Sequence, residues 1–297
     1  MLKIKNSAKS KEIVTAYLML APDILGLFFF VFIPIVFAFY VSLHNWNGIS
    51  SMQFIEFDNY KALFKDSDFW ASLWITIKYS LMYVPAVFVF ALMAALLVNA
   101  LKGKARGFFR TILFLPYTIS TVVAALAWSF LYDPYRGFVN NILKVFGIQG
   151  LTFTSMPGQA LASVAVVGIW LIFGYNMVIF ISGLNEIPKT YYEAAVIDGA
   201  NSFRRFFSIT FPLLKDTSLF ILTVTTIGSF QVFDQIKVMT NGGPAFSTSV
   251  SVYYIFQQAF EVSKFGYSSS IAFVLFIVIM LITLLQFKLI SSRKIEY

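Results

Sequence analysis

Six long apolar runs, separated by short polar segments, set the pattern of this 297-residue chain. They lie near 17–43, 71–101, 108–132, 160–184, 214–236 and 268–290, and each reaches the roughly 20 residues needed to cross a bilayer. A backbone inside hydrocarbon must satisfy its own hydrogen bonds, which makes these runs helices. The short alternating segments of a transmembrane barrel are absent. The pattern predicts an all-α polytopic membrane protein with six transmembrane helices: an N-terminal segment 1–16, a six-span domain 17–290 and a tail 291–297. The first run, 17–43, follows a basic start. It is far longer than the roughly 7–15-residue core of a secretory signal, and no small-residue cleavage site follows it. Pro22 and Pro34 lie within it, where a helix can kink.

The polar segments have their own signals. In 44–70, Asp58-Asn59 ahead of Tyr60-Lys61-Ala62-Leu63-Phe64 reads as a helix start. Residues 102–107 form a tight basic turn, 133–159 carry the amphipathic run 138–143, and 237–267 open on the turn signal Thr240-Asn241-Gly242-Gly243-Pro244. The semi-polar island 186–212 is of another kind. Pro188 suits the first turn of a helix, and Gly199 can close it in a left-handed conformation. Glu193 lies in the early turns, where the helix dipole favours an anion. Ala195 and Gly199, four apart, share a face that admits close approach. Ser202 can cap a second turn carrying Phe203 to Phe207, which Pro212 stops. On physical grounds alone the island also suits an amphipathic helix lying on lipid headgroups.

Composition agrees with the span count. The chain is 59% hydrophobic and 12% charged, half the charge of a soluble domain. Of 22 Lys and Arg residues, most fall on one side: the N-terminal segment, the 102–110 turn, the 186–215 island and the C-terminal end. That bias places both termini and the island in the cytoplasm. It also explains most of the formal charge of +8, so no nucleic-acid partner is implied. Lys78 and Asp23 read as residues near span ends that snorkel to the interface.

Catalytic chemistry is missing. With no Cys and one His, thiolate catalysis and zinc sites have no ligands to draw on. His44 reads as an interfacial aromatic, no Ser/His/Asp arrangement can be assembled, and no Gly-x-x-x-x-Gly-Lys-Ser/Thr phosphate loop occurs. The chain reads as a non-enzyme that binds no cofactor of its own.

Glu193-Ala194-Ala195, three residues, Gly199, nine residues and then Ile209-Thr210-Phe211-Pro212 resemble the coupling motif of permease subunits of ATP-binding-cassette importers. The one departure is Phe211, where that pattern has Leu. Ile187-Pro188 through Asp198-Gly199-Ala200, the Thr240 to Pro244 turn and Phe57-Asp58-Asn59-Tyr60 extend the resemblance to the carbohydrate-uptake branch, the maltose- and glycerol-phosphate-type permeases. The resemblance implies a bacterial inner-membrane permease whose coupling helix, between the fourth and fifth spans, docks on an ATP-binding subunit. Glu193, Ala194, Ala195, Asp198, Gly199 and Pro212 would form that contact. It further implies a second related permease, a dimer of ATP-binding subunits holding ATP and magnesium, an extracytoplasmic binding protein, surrounding membrane lipid and a small carbohydrate as cargo.

Under that resemblance the cargo site belongs on the spans flanking the island. Thr225, Gly228, Ser229 and Val232 follow i, i+3, i+4, i+7 and are expected to share one helical face. Leu171, Tyr175 and Asn176, with Trp170 and Phe173, bring rings and one amide near mid-membrane, a mixture that suits a sugar. Related maltose-type permeases place substrate contacts at Tyr175 and Ser229. Each of these residues also suits plain helix packing. The cargo alternatives are glycerol 3-phosphate or a polyol. An ion-coupled secondary transporter would need buried carboxylates or broken helices at the midplane, of which the sequence offers almost none.

Overall fold

In the computed structural model of the protein, residues 2–148 and 151–291 are described. Helix α1 (Leu2–Leu27) runs through one π-helical turn (Phe28–Phe32) into α2 (Ile33–Ser42). Pro34 stands second in α2. Its ring would press on the carbonyl one turn back and its missing N–H breaks the ladder there, so the wider turn takes up the mismatch. Strands β1 (His44–Asn45) and β2 (Gln53–Phe54) pair antiparallel, with His44 opposite Phe54. They lead to α3 (Asp58–Lys65), the helix expected from its Asp58 start.

Next comes α4 (Ser67–Ala100), capped by Asp66, whose carboxylate accepts from the Asp68 N–H at 2.9 Å. Helix α5 (Gly103–Phe114) tightens into a 3₁₀ turn (Leu115–Thr118), and α6 (Thr121–Leu131) leaves it at 97°. The amphipathic α7 (Phe138–Val145) precedes the long α8 (Pro157–Glu186). Then follow α9 (Lys189–Ile197), α10 (Ser202–Arg205), α11 (Phe211–Leu213), α12 (Lys215–Phe230), α13 (Asp234–Met239), α14 (Ser251–Phe256) and α15 (Phe265–Ser291).

The chain divides into two compact units. In the unit made of Met1–Lys65 and Gln257–Val274, the amide of buried Asn59 donates to the carbonyls of Ser42 and His44 at 2.8 and 2.9 Å. This fastens α3 to the end of α2, and a 2.7 Å hydroxyl contact between Ser42 and Tyr60 repeats the tie. Burial pushes the Tyr60 phenol above its ordinary range. His44 packs between Tyr40 and Phe54, with ring centroids at 4.3 and 5.3 Å. The sole histidine is thus a packing residue.

The second unit, Asp66–Phe256 with Leu275–Tyr297, is organised by α4 lying along α8. One buried cluster gathers Tyr79, Val164, Leu171, Ile236 and Tyr253; another gathers Ala91, Ala95, Met177, Phe180, Leu214 and Ile221. Close approach depends on small residues of α8: a Cβ on Gly168 would meet the Tyr79 hydroxyl, one on Gly174 the Leu113 backbone, and one on Gly183 the Thr217 side chain. Polar groups in the interior find one another. The Ser251 N–H donates to the Thr76 hydroxyl at 2.8 Å, and the Gln286 amide to the Thr226 hydroxyl at 2.8 Å.

The mostly helical architecture agrees with the hydropathy pattern, with specific corrections. Among the described residues four helices are long and apolar enough to cross a membrane: Lys11–Ser42, Ser67–Ala100, Pro157–Glu186 and Phe265–Ile290. The third run is not one rod. It breaks at Ile119 and Ser120, which are extended (ψ 138° and 133°). The fifth run is preceded by Ser202–Leu213 at 66° to it. These two bends correct the expectation that broken helices are almost absent. The fifth helix also ends at Phe230 rather than near 236, so Val232 lies beyond it and Thr225, Gly228, Ser229 and Val232 do not form a single helical face. Lys78 lies within α4, exposed, with its ammonium 5.5 Å over the Trp74 ring. Asp23 lies within the Lys11–Ser42 helix, and both helices are longer than the roughly 20 residues a span needs. The tail from 292 onward lies outside the described residues.

Candidate functional site

The 186–212 island folds as two short helices with defined ends. Pro188 takes the N-cap position of α9 (ψ 133°) rather than its first turn. At the other end Gly199 adopts φ +75°. Its N–H bonds the Val196 carbonyl at 3.1 Å, and the Ala200 N–H reaches back to Ala195 at 2.8 Å. This pair of bonds is a Schellman closure, and it requires the left-handed backbone that glycine adopts without strain. A Cβ at Gly199 would touch nothing within 4 Å, so conformation rather than space calls for glycine there.

Asn201, not Ser202, caps α10: its side-chain oxygen accepts from the Arg204 N–H at 2.8 Å. Ser202 instead accepts from the Arg205 guanidinium at 3.0 Å. Asn201→Ala should cost about 1 kcal/mol locally, measurable as faster amide exchange over residues 202–205 with the spans unaffected.

The root of this knob is fixed and its tip is bare. The Tyr192 hydroxyl lies 3.0 Å from that of Thr210. Tyr192 and Phe206 pack against the cluster holding Ile187 and Leu214. Pro212, in α11, is half-buried between this root and α12. By contrast Glu193, Ala194, Asp198 and Gly199 are exposed and Ala195 is half-buried. Ile197 and Phe203 leave 86% and 73% of their surface uncovered. An apolar, charged-edged tip of this kind is what a docking contact requires. Nearby, Arg106 donates to the Asn99 side-chain oxygen at 2.6 Å and to that of Asn185 at 3.3 Å, joining the ends of α4 and α8 beside the island.

The expected cargo residues separate into three groups. Leu171, Asn176, Thr225 and Ser229 are buried in helix packing. The Asn176 amide donates to the Ile172 carbonyl at 3.3 Å, and Ser229 shares a 2.8 Å hydroxyl contact with Ser80. Tyr175 is half-buried and stacks on Tyr117 of the 3₁₀ turn, with centroids 4.4 Å apart and planes at 21°. Gly228 and Val232 line a cavity of about 290 Å³ that also meets Tyr79, Tyr83, Gln231 and Asp234. Thr121, the first residue after the break in the third run, and Gln235 complete its polar wall. Tyr79 and Tyr83 had no sequence signal, because a tyrosine inside an apolar run reads as packing. Trp170 and Phe173 line a separate hollow of about 750 Å³ with almost entirely apolar walls, which offers nothing to orient a hydroxylated cargo.

The chain matches the family model "binding-protein-dependent transport system inner membrane component" over residues 87–296. It is similar to the trehalose/maltose transport system permease protein MalF of Thermococcus litoralis, 30% identical over 292 residues that cover 98% of each chain. It is also similar to the sn-glycerol-3-phosphate transport system permease protein UgpA of Shigella flexneri, 34% identical over 284 residues and 95% of each chain. A crystal structure of a bacterial transporter that imports the acidic polysaccharide alginate shares the fold, with a TM-score of 0.82 at 22% identity over 97% of this chain and 98% of that one. These relatives carry permease names, and the chain is accordingly a membrane-integral, non-catalytic permease component. With the family model matched over most of its length and both curated relatives matched almost end to end, the chain belongs to the inner-membrane components of binding-protein-dependent transport systems.

Proposed function

We propose that the chain is one of two permease subunits of an ATP-driven sugar importer, with six spans, each bent helix pair counted as one, and both termini in the cytoplasm. In this reading α9 is the coupling helix. Its exposed Glu193-to-Gly199 surface seats in an ATP-binding subunit, and Asp198 and Pro212 hold the ends of the contact. Closure of two such subunits on ATP would move the knob. Because Tyr192, Ile187 and Leu214 root it in the ends of α8 and α12, the motion reaches the two helices that carry the expected cargo residues. An external binding protein would deliver cargo at the opposite side. One observation supports this reading above the others: the motif with its full spacing falls on a knob whose root is packed and whose tip is bare.

The likeness to a glycerol-phosphate permease makes a phosphorylated polyol the second reading. Purification of the tagged chain from its native membrane tests the assignment. An ATP-binding subunit and a second permease should come with it, and ATPase activity should rise when the binding protein is loaded with the right member of a sugar panel. Isolation as a lone chain with no associated ATPase would sink it.

A further inference from the structure

We propose that the cavity bordered by Tyr79, Tyr83, Gly228, Gln231 and Asp234 is a cargo subsite for uncharged, polyhydroxylated molecules, and that Asp234 is the residue that turns anionic cargo away. The inference rests on the importer reading above and decides between its two cargo classes. The walls carry the chemistry of a neutral polyol site: two side-chain amides at Gln231 and Gln235, one carboxylate at Asp234, a hydroxyl at Thr121 and two phenols. A carboxylate accepts two hydroxyl protons at once, which matches a pair of neighbouring sugar hydroxyls. Tyr79 and Tyr83 lie one turn apart on α4 with their rings stacked, centroids at 5.3 Å and planes at 19°; Tyr79 is buried beneath its partner, which leaves the half-buried Tyr83 as the ring of the pair that a sugar can meet. At Gly228 a side chain would meet nothing within 4 Å, so the helix backbone there opens directly onto the space. The volume of about 290 Å³ is at the lower end for small-molecule sites, and suits one ring at a time.

The charge balance carries the argument further. Among the described residues no Lys, Arg or His lines the cavity. Lys237, one turn along α13 from Asp234, has its ammonium 4.8 Å over the Phe256 ring and 5.6 Å over that of Tyr253. Lys78, next to Tyr79 in the chain, sits over Trp74 instead. A phosphate or uronate entering this space meets a carboxylate with no cation lining the wall beside it. Two like charges about 6 Å apart in an effective dielectric of about 20 disfavour such a cargo by roughly a hundredfold. Gln231 and Asp234 are both exposed, so reagents can reach them.

The chain has no cysteine, which makes a single introduced thiol a clean reporter. In the assembled importer, Gln231→Cys should react with cationic trimethylammonium-ethyl methanethiosulfonate faster than with its anionic sulfonatoethyl counterpart. The preference, corrected for a free thiol, should be about tenfold or more, and it should collapse in Gln231→Cys/Asp234→Asn. Maltose or trehalose at millimolar concentration should slow the labelling, and sn-glycerol 3-phosphate should not. A preference indifferent to Asp234, or protection by glycerol 3-phosphate equal to that by the neutral sugars, overturns the proposal. ATP-driven uptake across a sugar panel separates the two layers. Uptake without an Asp234-dependent preference removes this subsite and leaves the importer reading intact. No uptake of any sugar, with the preference retained, removes the sugar-importer reading and leaves the acidic cavity.

Discussion

Gly199→Val is expected to abolish ATP-driven uptake while leaving the chain inserted and its spans packed. The reason is local. Gly199 holds φ +75°, a backbone that costs an L-residue roughly 1–2 kcal/mol and a β-branched one more. The valine variant escapes that strain by giving up the two closing bonds from Gly199 to Val196 and from Ala200 to Ala195, and the tip of α9 then points elsewhere. No span packs on this glycine, so the membrane core should not respond. A graded series separates conformation from bulk. Asparagine, which tolerates the left-handed region, should keep most of the uptake, alanine part of it, and valine none. Uptake into vesicles, normalised to the amount of chain in the membrane, gives the readout. Normal transport by the valine variant would remove α9 from the coupling role.

Gly174→Val should damage the fold itself. A Cβ at Gly174 would overlap the carbonyl oxygen of Leu113 and crowd the backbone of Phe114. A backbone atom cannot swing aside as a side-chain tip can, so α8 and α5 must separate. Overpacking a tight contact costs about 1–3 kcal/mol, and more where nothing can yield. For a unit of this size that corresponds to a loss of roughly 2–4 °C in Tm per kcal/mol, alongside a lower yield of monodisperse protein in detergent. Separation should also loosen the Tyr117–Tyr175 stack, since Tyr117 belongs to the turn that continues α5. Gly228→Ala is the internal control: with no atom within 4 Å of the new methyl group, the fold should be unaffected. Equal thermal stability of Gly174→Val and the parent would contradict the close approach described here.

What could be read from the residues follows from what hydropathy measures. Side-chain transfer energy is strong over 20 residues, so α4, α8 and α15 were placed within a few positions. The short amphipathic helices at Asp58 and Phe138 were visible through their starts and periodicity. Hydropathy is blind to backbone path. Thr118 to Thr121 contains no glycine or proline, and its residues are those of any span, yet the helix breaks there. The end of α12 was hidden in the same way, because Val232 and Phe233 prolong the apolar run past the last helical residue. At α10 two neighbouring residues, Asn201 and Ser202, are both good caps, and one-dimensional order does not choose between them. The cargo side was the least legible. Ser229 spends its hydroxyl on Ser80, Asn176 turns its amide to its own helix, and the cavity walls come from α4, α6, α12 and α13, brought together only by folding.

The break in the third apolar run bears on what the chain can be on its own. Tyr117 and Ile119 leave 42% and 36% of their surface uncovered, beside backbone that has left the helical ladder. Hydrocarbon solvates no such backbone; irregular segments at membrane depth persist only against protein or beside water. In the proposed six-span reading this stretch lies at membrane depth, and a second chain or a wet passage, rather than lipid, would then border it. An orphan copy, synthesised without its partners, would present that strip to acyl chains with several kcal/mol at stake for each unsatisfied group. Its loss would register first in the cell as degradation by membrane quality control, ahead of any defect in transport.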